Sequence, residues 1–153
     1  VKKILPLLLA CATFAALAQK PGDSLPFRGC NTIIVTMPDT PTLKQVAGLL
    51  MNNGYALAET SAALGFVTTA VQSFPKNGLW NMAITARING KRIEWSGRCE
   101  AHVNVALGWG VSTGGPTVEK AAYGGSGPYL RRAFECIYGI ASKQGGRIDY
   151  EMR

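Results

Sequence analysis

An α+β fold, with one mostly antiparallel sheet and two helices packed on one of its faces, is what this 153-residue chain predicts. Three observations carry that expectation. Residues 80–105 alternate apolar and polar side chains around Asn89-Gly90, the pattern of a long hairpin with one apolar face. Residues 41–53 and 128–141 each carry a single apolar stripe at helical spacing. Those two segments interrupt runs of short β-rich stretches instead of alternating with them one for one, which separates α+β from a parallel α/β arrangement. The predicted order is β-α-β-β-β-β-α-β.

The chain opens with an export signal. Lys2 and Lys3 precede an apolar run from Ile4 to Ala18, closed by the small-x-small site Ala16-Leu17-Ala18. The run is 15 residues long, short of the roughly 20 that span a bilayer, so no transmembrane span is expected. Leu8-Leu9-Ala10-Cys11 loosely resembles a lipobox, but the apolar character continues for seven residues past Cys11. Residues 1–18 are therefore read as a signal peptide, 19–30 as a linker and 31–153 as a single domain, in a periplasmic or secreted protein. Cleavage after Ala18 removes 18 of 153 residues and leaves 135, enough to bury a core. The formal charge of +7 falls by two, to +5, with Lys2 and Lys3. A moderately basic exported domain can favour anionic headgroups or acidic glycans, although no run of basic residues occurs.

The elements follow in order. Asn31 to Met37 is rich in β-branched residues and reads as a strand, stopped by Pro38 and Pro41. Thr40 can cap the first helix, with Pro41 in its first turn. Leu43, Val46, Ala47, Leu50 and Met51 form the buried stripe, and Asn53-Gly54 ends it. Tyr55–Thr60 is a short strand, Leu64-Gly65 a turn and Phe66–Gln72 a further strand. A two-residue Asn89-Gly90 loop sets Ile88 opposite Lys91. It then pairs Ala86 with Ile93, Ile84 with Trp95 and Trp80 with Cys99 on the apolar face, and Arg87 with Arg92 and Thr85 with Glu94 on the polar one. Residues 108–127 hold seven glycines and read as a long loop rather than a regular element. The second helix starts near Pro128, buries Leu130, Ala133, Phe134, Ile137 and Ala141, and ends at Gly145-Gly146. Arg147–Arg153 alternates as a terminal strand with Ile148, Tyr150 and Met152 inward.

Chemistry-bearing patterns are sparse. His102 is the sole histidine, placed on the polar face with Glu100 and Asn104 and with no nucleophile in a recognisable setting. Glu94 and Glu100 lie six residues apart on one strand face, roughly 20 Å, too far for a glycosidase pair. Cys30, Cys99 and Cys136 show no CxxC spacing; three thiols outside the cytoplasm allow one bridge in any of three pairings. No cofactor or metal site is expected. Two groupings remain as contacts for an anion or a partner. Arg87, Lys91 and Arg92 gather at the hairpin tip, where Arg87 opposite Arg92 is either completed by a partner's negative charge or splayed into water. Gly125, Ser126 and Gly127 precede a helix N-terminus, where anions bind favourably. Basic residues without exposed aromatics between them exclude nucleic-acid binding.

Leu43, Val46-Ala47, Leu49-Leu50-Met51 and Gly54-Tyr55, followed by Gly65-Phe66-Val67-Thr68-Thr69, make a pattern similar to small Gram-negative envelope proteins. A strand and helix there lead to Gly-aromatic, then to a strand opening Gly-hydrophobic-x-Thr. In this stretch, roughly residues 31–73, the chain resembles the helix-grip modules of BamC-like lipoproteins. The resemblance implies an α+β module on the periplasmic side of an outer membrane, in an accessory or assembly role; its motifs are structural and carry over no functional residue. The expected function is a non-enzymatic envelope binding module that recognises an envelope protein or component. The alternative is a carrier of a small apolar or anionic ligand.

Overall fold

The computed structural model describes residues 23–74, 80–101, 106–107, 110–111, 117–124 and 128–153. Residues 1–18, expected to be an export signal, His102 and the Gly125-Ser126-Gly127 segment lie outside those residues. Ten strands and two helices run in the order β1 (Thr32–Thr36), α1 (Leu43–Asn52), β2 (Leu57–Ser61), β3 (Phe66–Thr69), β4 (Gln72–Phe74), β5 (Trp80–Asn89), β6 (Arg92–Ala101), β7 (Ala106–Leu107), β8 (Gly110–Val111), β9 (Thr117–Lys120), α2 (Pro128–Ala141) and β10 (Arg147–Glu151). The protein is α+β. Eight strands form one sheet in the order β10-β1-β6-β5-β3-β2, with β4 beside β5 and β9 beside β6; β7 and β8 pair with each other.

The β5–β6 hairpin is the spine. Its loop is Gly90-Lys91, one residue later than expected: Asn89 pairs with Arg92, and Gly90 takes the left-handed conformation at φ +59°. Moving the loop by one residue moves every partner by two, so both faces keep their residues while each pair changes. Ala86 meets Trp95, Ile88 meets Ile93, Trp80 meets Ala101 and Arg87 meets Glu94. Cross-strand chemistry explains the shift. It sets small Ala86 against the large indole and replaces the Arg87–Arg92 repulsion with opposite charges.

The apolar face is covered by both helices. Ile33, Val35, Val67, Met82, Ile84, Ala86, Ile93, Trp95 and Cys99 meet Val46 and Leu50 of α1 and Leu130, Ala133, Phe134 and Ile137 of α2 in one core. Trp95 is wholly buried and its indole N–H donates to Gln144 Oε1 at 3.3 Å. Trp80 is half-buried and stacks on Tyr129 with ring centroids 3.5 Å apart. Gly97 is where α2 comes closest to the sheet: a Cβ there would sit 2.4 Å from Ile137 Cδ1.

Several local expectations are corrected. Helix α1 is capped by Thr42 rather than Thr40, because Thr42 and Gln45 complete a reciprocal capping box. Met51 is exposed, so the stripe is narrower by one residue. The strand expected over 66–72 is two strands, β3 and β4, parted at Ala70-Val71 and pairing with different lengths of β5. The glycine-rich stretch is not all loop, since β9 pairs with the far half of β6. Met152 is exposed, past the end of β10. Asp23 and Ser24, within the stretch expected as a linker, are held against β10: Ser24 N–H donates to Ile148 O at 2.9 Å, and Asp23 accepts from Ile148 N–H at 2.8 Å. Among the described residues no helix is long and apolar enough to cross a membrane.

Candidate binding face

Among the described residues no helix lies on the sheet's second face, and its register arranges the side chains in rows. Thr68, Thr85, Ser96 and Thr32 are consecutive cross-strand partners over β3, β5, β6 and β1, so four hydroxyls form one line. One row above it runs Arg87, Glu94, Ile34 and Asp149. One row below lie Ala83, Arg98 and Lys120. A trough of about 480 Å³ sits over these rows, lined by Thr85, Arg87, Ser96, Arg98, Lys120 and Arg153 among others.

Charges on this face are paired unevenly. Arg153 bridges Glu94 at 2.5 Å and Glu151 at 2.7 Å, and both carboxylates hold its guanidinium above the ordinary arginine range. Arg92 bonds Glu151 at 3.1 Å, Arg98 bonds Glu100 at 2.9 Å and Arg147 bonds Asp149 at 2.9 Å. The Asp149 carboxyl is held below its usual range, first by the Ser24 hydroxyl, with burial opposing and Arg147 adding to the lowering. Lys120 Nζ donates to the Arg153 carbonyl at 2.7 Å. Arg87 is the exception. It is exposed, its cross-strand carboxylate Glu94 is occupied by Arg153, and it makes no hydrogen bond or ion pair among the described residues. The Ser96 hydroxyl likewise has no partner among them.

The three basic residues expected at the hairpin tip therefore separate. Lys91 is spent on the Pro38 carbonyl at 2.6 Å and Arg92 on Glu151, which leaves Arg87 alone available. The sequence reading missed Thr85 and Ser96 as a pair, because its register set Thr85 against Glu94. It also missed Lys120 and Arg153, which reach the face only through the sheet positions of β9 and β10. A correct placement of the hairpin loop would have exposed the Thr85–Ser96 pair.

Cys30, Cys99 and Cys136 are free thiols. Burial pushes Cys99 up to about 11, helped by Glu119 beside it, and burial raises Cys30 as well. Both are held as neutral thiols, the reverse of nucleophile activation. Cys136 lies 3.1 Å from the Tyr55 hydroxyl. Among the described residues no group of three His, Cys, Asp or Glu side chains could hold a metal ion. A separate hollow of about 370 Å³, lined by Gly54, Tyr55, Gln72, Ser73, Phe74 and Met82, opens beside the end of α1. Compared with known protein families, characterised proteins and solved structures, the chain matches none of them.

Proposed function

We propose that the protein is a non-enzymatic binding module of the periplasm or secreted space, exported through residues 1–18, and that it docks an envelope protein or component on the open face of its sheet. One observation carries this reading: the trough over Thr85 and Ser96 is flanked by an arginine whose own cross-strand carboxylate is already taken. Cross-strand partners normally satisfy one another within a sheet; Arg87 has no such partner among the described residues. The envelope setting rests on the export signal and on the resemblance of residues 31–73 to helix-grip modules. The test is site-specific photo-crosslinking in the native envelope, with the reactive residue at Arg98 on the open face or at Arg132 on the exposed side of α2. A discrete adduct from position 98 and none from 132 is the expected result. Adducts from 132 alone would overturn the reading.

The carrier alternative draws on the hollow beside Tyr55, whose volume reaches the lower end of small-ligand sites. An apolar dye that binds the protein and is displaced by Ser73→Trp would favour it.

A further inference from the structure

The chemistry of the trough also narrows what it holds. We propose that it takes an acidic glycan, a chain of sugars bearing carboxylate, sulfate or phosphate groups. This inference rests on the reading of the open face as the docking surface.

The floor is the first argument. Thr85 and Ser96 line the trough, and Thr68 stands beside Thr85 on the next strand, so the three hydroxyls repeat at roughly 5 Å across the sheet. A hydroxyl both donates and accepts. A row of them matches sugar hydroxyls in either sense of the bond, whereas carboxylates can only accept. Thr68 and Thr85 already bond each other at 3.2 Å and keep capacity to spare, and the Ser96 hydroxyl has no partner among the described residues.

The walls are the second argument. Arg87 stands on one side of the hydroxyl row with no donor engaged among the described residues, and its planar fork suits an oxyanion. Arg98 and Lys120 stand on the other side. Arg98 is partly engaged by Glu100, and Lys120 uses one donor on the Arg153 carbonyl. Glu94 and Glu119 also line the trough, but Glu94 is bridged by Arg153 and Glu119 accepts from the Tyr129 hydroxyl, so the cations Arg87, Arg98 and Lys120 around the hydroxyl strip fit a ligand with hydroxyls along its middle and negative groups at its edges. An acidic peptide fits less well. This is a sheet face, where the main-chain groups of β5 and β6 are committed to the ladder and cannot accept an added strand. The trough volume lies within the range of ligand sites.

Isothermal titration of the intact protein with oligogalacturonate, the matching neutral galactose oligomer, inorganic phosphate and polyglutamate tests the proposal. Oligogalacturonate is expected to bind and the neutral oligomer, phosphate and polyglutamate to bind at least about tenfold more weakly, since one charge-assisted contact is worth about that factor. Arg87→Ala should weaken oligogalacturonate about tenfold and Ser96→Ala about threefold, the range for charged and neutral hydrogen bonds. Arg132→Ala should change nothing. Both open-face positions are solvent-accessible, and circular dichroism confirms that each variant is folded. Equal binding of the neutral oligomer, of phosphate or of polyglutamate overturns the glycan assignment, as does binding to none of the four. In those cases crosslinking from position 98 decides independently whether the face still docks a different partner.

Discussion

The two faces of the sheet are made by the same strands and differ in almost every physical respect. On the helix side Trp95, Ile84, Ile93 and Val67 have no accessible surface, and close packing leaves no slack. On the open side Ile34 is equally buried, yet its neighbours Glu94 and Asp149 are tied into guanidinium networks instead of packing under a helix. The first face holds the fold by area removed from water. The exposed ion pairs of the second contribute little to stability, because they are screened and entropically costly. The contrast shows where sequence change is tolerated: the helix side constrains volume, and the open side constrains only chemistry.

The largest expected break is Trp95→Ala. Emptying that site removes a fully buried indole and its bond to Gln144, and should cost about 3–5 kcal/mol by urea unfolding. A loss below about 1 kcal/mol would mean the indole is not core.

Next is Gly146→Ala. A Cβ there would lie 2.4 Å from the Thr36 carbonyl oxygen, a main-chain atom that cannot swing aside. Overpacking of this kind costs about 1–3 kcal/mol; an unchanged urea midpoint would contradict the close approach of β10's leading turn to β1.

A pH series sharpens the comparison further. Cys99 titrates at about 11 in the fold against an ordinary value of 9.0. Its folded pKa is raised, so its contribution is fully present below pH 9 and lost as pH rises toward 11, by about 1–2 kcal/mol. Cys30 acts in the same direction. Cys99→Ala should flatten this part of the profile, and an identical slope in the variant would show that the thiol is not held neutral.

The smallest effect is expected on the open face. Arg153→Ala breaks an exposed bridge to Glu151 and one to the largely buried Glu94, which keeps Arg87 as its cross-strand neighbour, and should cost less than about 1 kcal/mol, with a difference that shrinks at high salt. A loss comparable to that of Trp95→Ala would erase the distinction between the faces.

Much of the architecture was legible because period and parity are robust. The alternation in 80–101 assigned each side chain to the correct face even with the loop misplaced by one residue, since a shift of partners by two preserves parity. The stripe Leu130, Ala133, Phe134, Ile137 located α2 for the same reason. What was not legible depended on pairing between distant segments. Asn89-Gly90 favours a hairpin by local turn chemistry alone, but Arg87 against Arg92 is a cross-strand conflict that only the finished ladder resolves. Thr117–Lys120 has β-branched residues yet sits among glycines, and its strand character comes from pairing with β6. The open-face trough was the least legible feature, because Arg87, Ser96 and Lys120 come from three strands, and Arg153 from the chain just past β10, whose lateral order no local pattern encodes.

The claim that the two faces have separate roles is tested most directly by hydroxyl-radical footprinting of the protein with and without native envelope extract. Protection gained at Phe66, Arg87, Arg98 and Lys120, with Tyr129, Arg131 and Arg132 along α2 unchanged, is the predicted result. Protection confined to α2, with the open face equally reactive in both conditions, would contradict it.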